Sequence, residues 1–342
     1  MKYAYKTEIK PTDEQARKIR RSIGICRWLY NEYLETNKRL YRMYRRGLLD
    51  SNQPYFMTAN DFDKYVNNKL KTKPKYAWIN KCASKARKKI LMNAESAFRS
   101  FFAGNTAFPS FKKKMDEDIK LYFPKNNPTD WLIERHRIKI PTLKYVRLKE
   151  YGYLPSGAKV INGTVSQKAC RFYVSVTVEQ PISNYKPGCG GIGIAVKINS
   201  LDKLNKEKFP QIVMLQKRLQ RQRKKLCRKY SYDEFLKDDL RCANREKQRL
   251  KVKKLQQKIE FSKKDYLDKC VAEIMKQQPQ YITIENLDIK SMALDKDMKK
   301  ITAKQKYYDF KNRLLLKCTK YDIELKQADK LDEAKIIFIE LI

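Results

Sequence analysis

Gly190-Gly191-Ile192-Gly193-Ile194-Ala195-Val196-Lys197-Ile198 and, farther along, Gln280-Tyr281-Ile282-Thr283-Ile284-Glu285-Asn286-Leu287-Asp288-Ile289-Lys290-Ser291-Met292 are the two stretches whose reading decides the fold of the second half. Each is a short apolar run rich in β-branched residues, the pattern of a buried strand. Strands and helices alternate around them, which predicts an α/β architecture. Glu285 stands as an acid at the end of the second strand. Between the two runs, roughly 205 to 277, lies a long basic helical insertion. In it Leu255, Ile259, Tyr266, Cys270 and Ile274 recur at about one-turn spacing, which marks a core-facing stripe. Arg218, Arg221, Arg223, Lys224, Lys225, Arg228 and Lys229 form an almost continuous cationic run, either a solvated face or a phosphate-contacting one.

The first half has a different texture. Residues 1 to about 10 read as a strand, with Tyr3, Tyr5 and Thr7 alternating against Ala4 and Lys6, and Pro11-Thr12-Asp13 then starts a helix. Ile19, Ile23, Cys26, Leu29 and Tyr30 give that helix one buried face. The pattern stays helical to about residue 103, with interruptions near Asp50-Ser51-Asn52-Gln53-Pro54 and Lys73-Pro74, and it is crowded with bases, among them Lys81, Lys85, Arg87, Lys88 and Lys89. From about 104 to 187 the period changes to two. Ile138-Lys139-Ile140, Tyr145-Val146-Arg147-Leu148 and Phe172-Tyr173-Val174-Ser175-Val176-Thr177-Val178 are separated by turn-forming breaks, as an antiparallel barrel requires. Lys186-Pro187-Gly188 reads as the linker to the second half.

The 342 residues carry 77 Lys and Arg against 38 Asp and Glu, a formal charge of +39 with a pI near 9.8. Such an excess opposes compaction unless a polyanion neutralises it, and nucleic acid is the commonest polyanion. There is no apolar run of membrane-spanning length and no apolar signal core at the N-terminus. Eight cysteines at 26, 82, 170, 189, 227, 242, 270 and 318 form no Cys-x-x-Cys pair, and His136 is the one histidine. A structural zinc site therefore has no evident ligand set. Dispersed thiols and the lack of a targeting segment lead to the expectation of a cytoplasmic protein, on the nucleoid when bound.

The two opening stretches resemble the first and second catalytic strands of a RuvC-type nuclease core, and the chain resembles the TnpB family of RNA-guided, transposon-associated nucleases, relatives of the type V CRISPR effectors. Further landmarks are Tyr5-Lys6-Thr7-Glu8-Ile9-Lys10-Pro11-Thr12, Gly24-Ile25-Cys26-Arg27-Trp28-Leu29-Tyr30-Asn31, Ala97-Phe98-Arg99-Ser100-Phe101-Phe102 and Phe108-Pro109-Ser110-Phe111-Lys112. The resemblance implies a first wedge-barrel strand at 1–10, a helical recognition domain at 11–103 and the rest of the wedge β-barrel at 104–187. That is an α+β N-terminal half. Residues 188–342 are then an α/β, RNase H-like RuvC half without the family's zinc ribbon. It further implies a guide RNA of transposon-end type as functional partner, target double-stranded DNA read beside a short adjacent motif, and phosphate contact as the role of the 218–229 run. The family's motif-reading segment falls at Ser84-Lys85-Ala86-Arg87-Lys88, where lysines replace two glutamines. These lysines either donate to base acceptors in the major groove or touch phosphate.

Departures from the family fall in its chemistry. RuvC-type cleavage needs carboxylates to hold divalent metal, and Ala195 occupies the first of those positions while Glu285 remains as a remnant acid. The third acid and the zinc ribbon are not matched downstream of Lys330. Asp329 and Asp332 are acids in the neighbourhood that no motif places near Glu285. The expectation is a non-enzyme that needs no zinc, with magnesium at most for nucleic-acid folding. It would act as the nuclease-dead TnpB-like repressors called TldR do. The alternatives are a nuclease with substitute acids, Asp202 or Asp288, and an RNA-binding accessory protein or transposon relic.

Overall fold

The computed structural model describes residues 2–48, 55–114, 119–180, 185, 186, 188, 190–198, 209–233, 239–286, 297–331 and 335–341. The chain divides into two compact units, Met1–Gln180 and Pro181–Ile342. The break falls ahead of the expected linker because Tyr185 donates its hydroxyl to Pro279 O at 3.1 Å and Gly188 its N–H to Gln278 O at 3.0 Å, which ties both to the second unit. Pro187 lies outside the described residues.

In the first unit β1 (Lys2–Lys10) alternates as its sequence predicts, with Thr7 and Ile9 buried and Ala4 and Lys6 exposed. Helix α1 (Asp13–Arg45) begins at a capping box: Gln15 N–H donates to Thr12 Oγ1 at 3.3 Å and Thr12 N–H to Gln15 Oε1 at 3.0 Å. These bonds satisfy two of the amides that a helix start leaves without partners. Ala16, Ile19, Cys26, Leu29, Tyr30, Tyr33, Leu34 and Asn37 line its buried face. Tyr33 sits at its centre, edge-on to Phe62 at 5.3 Å and donating to Met57 O at 2.8 Å, so its polar tip is satisfied inside the core.

After α2 (Ala59–Tyr65), a π turn (Val66–Leu70) and a 3-10 helix (Pro74–Lys81), α3 (Ser84–Phe102) closes the helical block. The chain then returns to sheet as β2 (Lys120–Pro124), β3 (Leu132–Ile133), β4 (Arg137–Ile140), β5 (Lys144–Leu148), β6 (Lys159–Lys168) and β7 (Arg171–Glu179). With β1 these form one antiparallel seven-stranded sheet in the order β2-β6-β7-β1-β5-β4-β3. The N-terminal strand thus lies between β7 and β5, and the helices of this unit lie in sequence between it and the edge strand β2. Among the described residues no β2–β3 pairing closes the sheet into the expected barrel.

The second unit holds a four-stranded, wholly parallel sheet. Its strands are β8 (Ile192–Ile198), β9 (Tyr281–Glu285), β10 (Glu324–Ala328) and β11 (Ile336–Leu341), in the order β10-β9-β8-β11. Helices α4 (Pro210–Asp233) and α5 (Asp239–Lys276) lie between β8 and β9 in sequence, and α6 (Asp297–Tyr321) between β9 and β10. Ile192, Ile194, Ile282 and Ile284 pack beneath Leu267, Val271, Ile274, Phe310 and Leu314 of α5 and α6. Phe209, Ile212, Leu219, Val252 and Ile259 hold α4 against the first part of α5. Residues Ile336–Leu341 supply β11. Its register with β8 runs from Ile336↔Gly193 to Leu341↔Ile198.

One close approach in the first unit is checkable. A Cβ at Gly163 would meet the buried Trp131 ring at 2.3 Å, against ring atoms that have nowhere to go. Gly163→Ala should therefore lower unfolding stability by about 1–3 kcal/mol, as overpacked cores do. Urea titration followed by tryptophan fluorescence measures it.

Candidate functional site

In a parallel pair, residues level with one another point to the same side of the sheet. The register of β8 and β9 runs from Ile192↔Ile282 to Ile194↔Ile284, and one further step along both strands sets Ala195 beside Glu285. Glu285 is paired on its other side with Ala328, and Ala195 with Phe338. The row across the sheet therefore reads Ala328, Glu285, Ala195, Phe338: one carboxylate among apolar neighbours. Glu285 Oε2 accepts the Val196 N–H at 3.4 Å, so the acid reaches the main chain beside the alanine. Tyr307 donates its hydroxyl to Glu285 O at 2.9 Å, which anchors the strand end to α6. Gly191 has its own reason in the same motif. A Cβ there would meet the Tyr281 ring at 2.1 Å.

Asp329 is closer to this place than its sequence position revealed. It follows Ala328, the strand partner of Glu285, and its Oδ1 accepts from Asn286 Nδ2 at 3.2 Å. Asp202, Asp288 and Asp332 lie outside the described residues. Among those described, no three His, Cys, Asp or Glu side chains gather as a metal-binding group. The residues at the family's magnesium position do not fit that ion: alanine contributes no oxygen, and the hard, near-octahedral coordination of magnesium needs several.

The cationic run of α4 resolves into a face. Met214, Lys217, Arg218, Arg221, Gln222, Lys224, Lys225 and Arg228 line an open groove of roughly 600 Å³. Their spacing of three, four and seven residues puts the bases on one side of the helix, opposite Ile212, Leu219 and the half-buried Leu226. Arg223 is exposed but projects from the other side, and Lys229 donates to Asn244 O at 3.4 Å. From Pro210 to Ser231 the helix contains no acid, so nothing on it neutralises the stripe. The predicted apolar stripe of α5 divides: Ile259 and the half-buried Leu255 face α4, Ile274 and the half-buried Cys270 face the sheet core, and the half-buried Tyr266 touches both clusters.

In the helical block Lys81 is exposed at the end of the 3-10 helix, and Ser84, Lys85 and Lys88 are exposed on α3, where their spacing puts them on one side. Lys89 is half-buried, its ammonium 5.7 Å from the Tyr122 ring centroid. Arg87 must be withdrawn from the expected nucleic-acid contacts. It is 3% exposed, donating to Ile79 O at 3.0 Å and to Asn67 Oδ1 at 3.4 Å. The helical period turns position 87 inward while 85 and 88 face out. Its guanidinium lies beside a thiol pair that sequence spacing could not reveal, Cys26 and Cys82, with Sγ atoms 3.7 Å apart. The Cys26 hydrogen bond, with Arg87 nearby, makes Cys82 the more acidic of the two.

Residues 1–46 match a family model described as a helix-turn-helix domain, HTH_OrfB_IS605. Here that segment is one strand followed by a single long helix. The chain is 26% identical over 295 residues to InsQ of Escherichia coli K12, named as an RNA-guided DNA endonuclease, covering 85% of this chain and 67% of that protein. It is 24% identical over 331 residues to a Streptomyces pristinaespiralis protein also named as an RNA-guided DNA endonuclease, covering 96% and 78%. Among solved structures, a Cas12f1–sgRNA–target DNA complex aligns with 92% of this chain and 73% of that one at 13% identity and a TM-score of 0.46. Among the described residues no helix is long and apolar enough to cross a membrane.

Replacing Arg218, Arg221, Lys225 and Arg228 together by Gln should weaken binding to any duplex and flatten the log–log salt dependence. The expected loss of slope is about 0.9 for each phosphate contact removed. Arg223→Gln alone should change the slope less than Arg221→Gln alone. Fluorescence anisotropy across a salt series reads both, and equal effects would reject the face assignment.

Proposed function

From the premise that the chain belongs to the TnpB-like family, we propose that it is an RNA-guided DNA-binding protein that does not cut its target and represses transcription by occupying promoter DNA. The observation that carries this reading is the row Ala328, Glu285, Ala195, Phe338. Two-metal hydrolysis needs carboxylates on both sides of the reacting phosphate to hold the ions that activate water and stabilise the leaving oxygen. In that row one acid stands alone, and its carboxylate is engaged by a main-chain amide.

The relatives' names support an RNA guide and a DNA target as partners. A guide RNA of transposon-end type would select the target by base pairing, while the protein holds the heteroduplex by shape and phosphate and reads one short motif beside it. The α4 face supports the phosphate role. Lys81, Ser84, Lys85 and Lys88 form the exposed surface offered for the motif. The domain roles follow the family: β1 with β2–β7 as wedge, α1–α3 as recognition block and the parallel sheet as the RuvC-like part. No zinc is required, and magnesium serves the folding of the RNA.

A second reading, residual endonuclease activity, is favoured by Asp329, which accepts a hydrogen bond from Asn286, the residue after Glu285. Two acids at the ends of neighbouring strands are the start of a metal site. The two readings separate cleanly. With guide RNA, matched target and magnesium, neither the native protein nor Ala195→Asp should cut, since one restored acid does not rebuild the coordination sphere; cutting by the native protein that Asp329→Asn abolishes would establish the second reading.

Genome-wide occupancy in the native cell should depend on the guide locus, and transcript levels at the bound promoters should rise when that locus is deleted. Mismatches close to the adjacent motif should reduce occupancy more than distal ones, because pairing nucleates there. Occupancy that survives loss of the guide would refute RNA guidance. Occupancy without transcript change would refute repression alone.

A further inference from the structure

Lys263 of α5 and Lys306 of α6 are both half-buried and line a groove of roughly 390 Å³ together with Glu260, Lys264, Leu267, Gln305, Asp309 and Leu341. Leu341 is paired with Ile198, so the groove opens at the carboxyl ends of the parallel strands, the edge at which sheets of this kind take their ligands. Of the two acids present, Glu260 accepts from Lys264 at 2.9 Å, and Asp309 is exposed on α6. Three ammonium groups thus face a space that two carboxylates share. Burial and the nearby Lys306 push Lys263 down to about 8, and burial lowers Lys306 as well. An anion that enters the groove between two neighbouring ammonium groups stabilises the charged form of both.

We infer that this α5–α6 groove is a seat for a phosphodiester of a bound nucleic-acid strand, gripped between Lys263 and Lys306. The inference rests on the nucleic-acid reading above and adds a second contact surface to it, separate from the α4 face. The cavity has room for one nucleotide's phosphate and sugar, and the apolar floor of Leu267 and Leu341 gives the sugar a surface to lie on. A phosphate between the two ammonium groups favours their protonated forms, so binding takes up a proton where Lys263 is partly neutral. Around Lys263 the charged groups are Glu260 and Lys264 from its own helix and Lys306 and Asp309 from α6, while β11 contributes apolar Leu341. Of these, the two half-buried lysines are the ones displaced toward neutrality.

The test uses the full-length protein and a fluorescently labelled homopolymeric DNA single strand, with circular dichroism confirming that each variant is folded. Lys263→Gln with Lys306→Gln should bind several-fold more weakly at low salt. Its log–log salt slope should be shallower by about 0.7, one single-strand phosphate contact. Lys263→Arg with Lys306→Arg should keep the slope and lose the fall in affinity that the native protein shows as pH rises through 8. A native protein that binds while the Gln variant matches it in slope and pH profile would overturn the inference and leave the nucleic-acid reading intact. A native protein that binds no strand would sink that reading and this one with it. Inorganic phosphate that competes at matched ionic strength in the native protein, but not in the Gln variant, would assign the seat to a free anion and overturn the strand assignment.

Discussion

Parallel pairing of β8 with β9 is the constraint from which the second unit is built. Two parallel neighbours cannot be joined by a tight turn, so the chain must leave the carboxyl end of one and travel back to the amino end of the next. That return places α5 over Ile194 and Ile284, both fully buried, and the next return, from β9 to β10, adds α6. The first crossover is much longer than the return requires. The surplus becomes the α4–α5 pair, stitched by its own apolar cluster and by Gln248 donating to Gln222 O at 3.0 Å. A helix that packs on one side only is free to carry charge on the other, and α4 does so without a compensating acid. The cationic face and the acid row are thus two results of one topological demand.

The same pairing fixes what an alanine at 195 means. Were the register shifted by one residue, position 195 would point into the Ile194 core and its identity would be a packing matter. Carried one residue past Ile194↔Ile284, the observed register sets position 195 beside Glu285, so a side chain there stands next to a carboxylate. A methyl group in that place offers neither a charge nor an oxygen ligand. The contact of Glu285 with the Val196 amide is what a lone strand-end carboxylate finds when the nearest donor is main chain.

How much of this was legible beforehand depended on whether the signal was local. The helix start at Pro11-Thr12-Asp13, the alternation of β1 and the apolar runs of β8 and β9 are written in consecutive residues and were read correctly from them. Arg87 was misjudged because a run of bases looks uniform in sequence, and only the helix's rotation separates its inward member from Lys85 and Lys88. The proximity of Cys26 to Cys82, of Asp329 to Asn286 and of Lys263 to Lys306 joins segments far apart along the chain. No spacing rule reaches across such separations. The closing strand was missed for a different reason: Ile336 to Leu341 alternates weakly, and only the free side of β8 gives it a place.

That closing strand leaves the molecule with a raw border. Among the described residues β11 has β8 on one side and no strand on the other, and Phe338 projects from it 81% exposed with Ile336 beside it. Open borders of this kind invite strand-to-strand stacking between copies, a hazard that proteins commonly blunt with charge or proline. Here the guard is global: a net +39 repels like molecules at a distance. Salt screens that repulsion within about a nanometre, so raising the ionic strength lowers the barrier that keeps such borders apart.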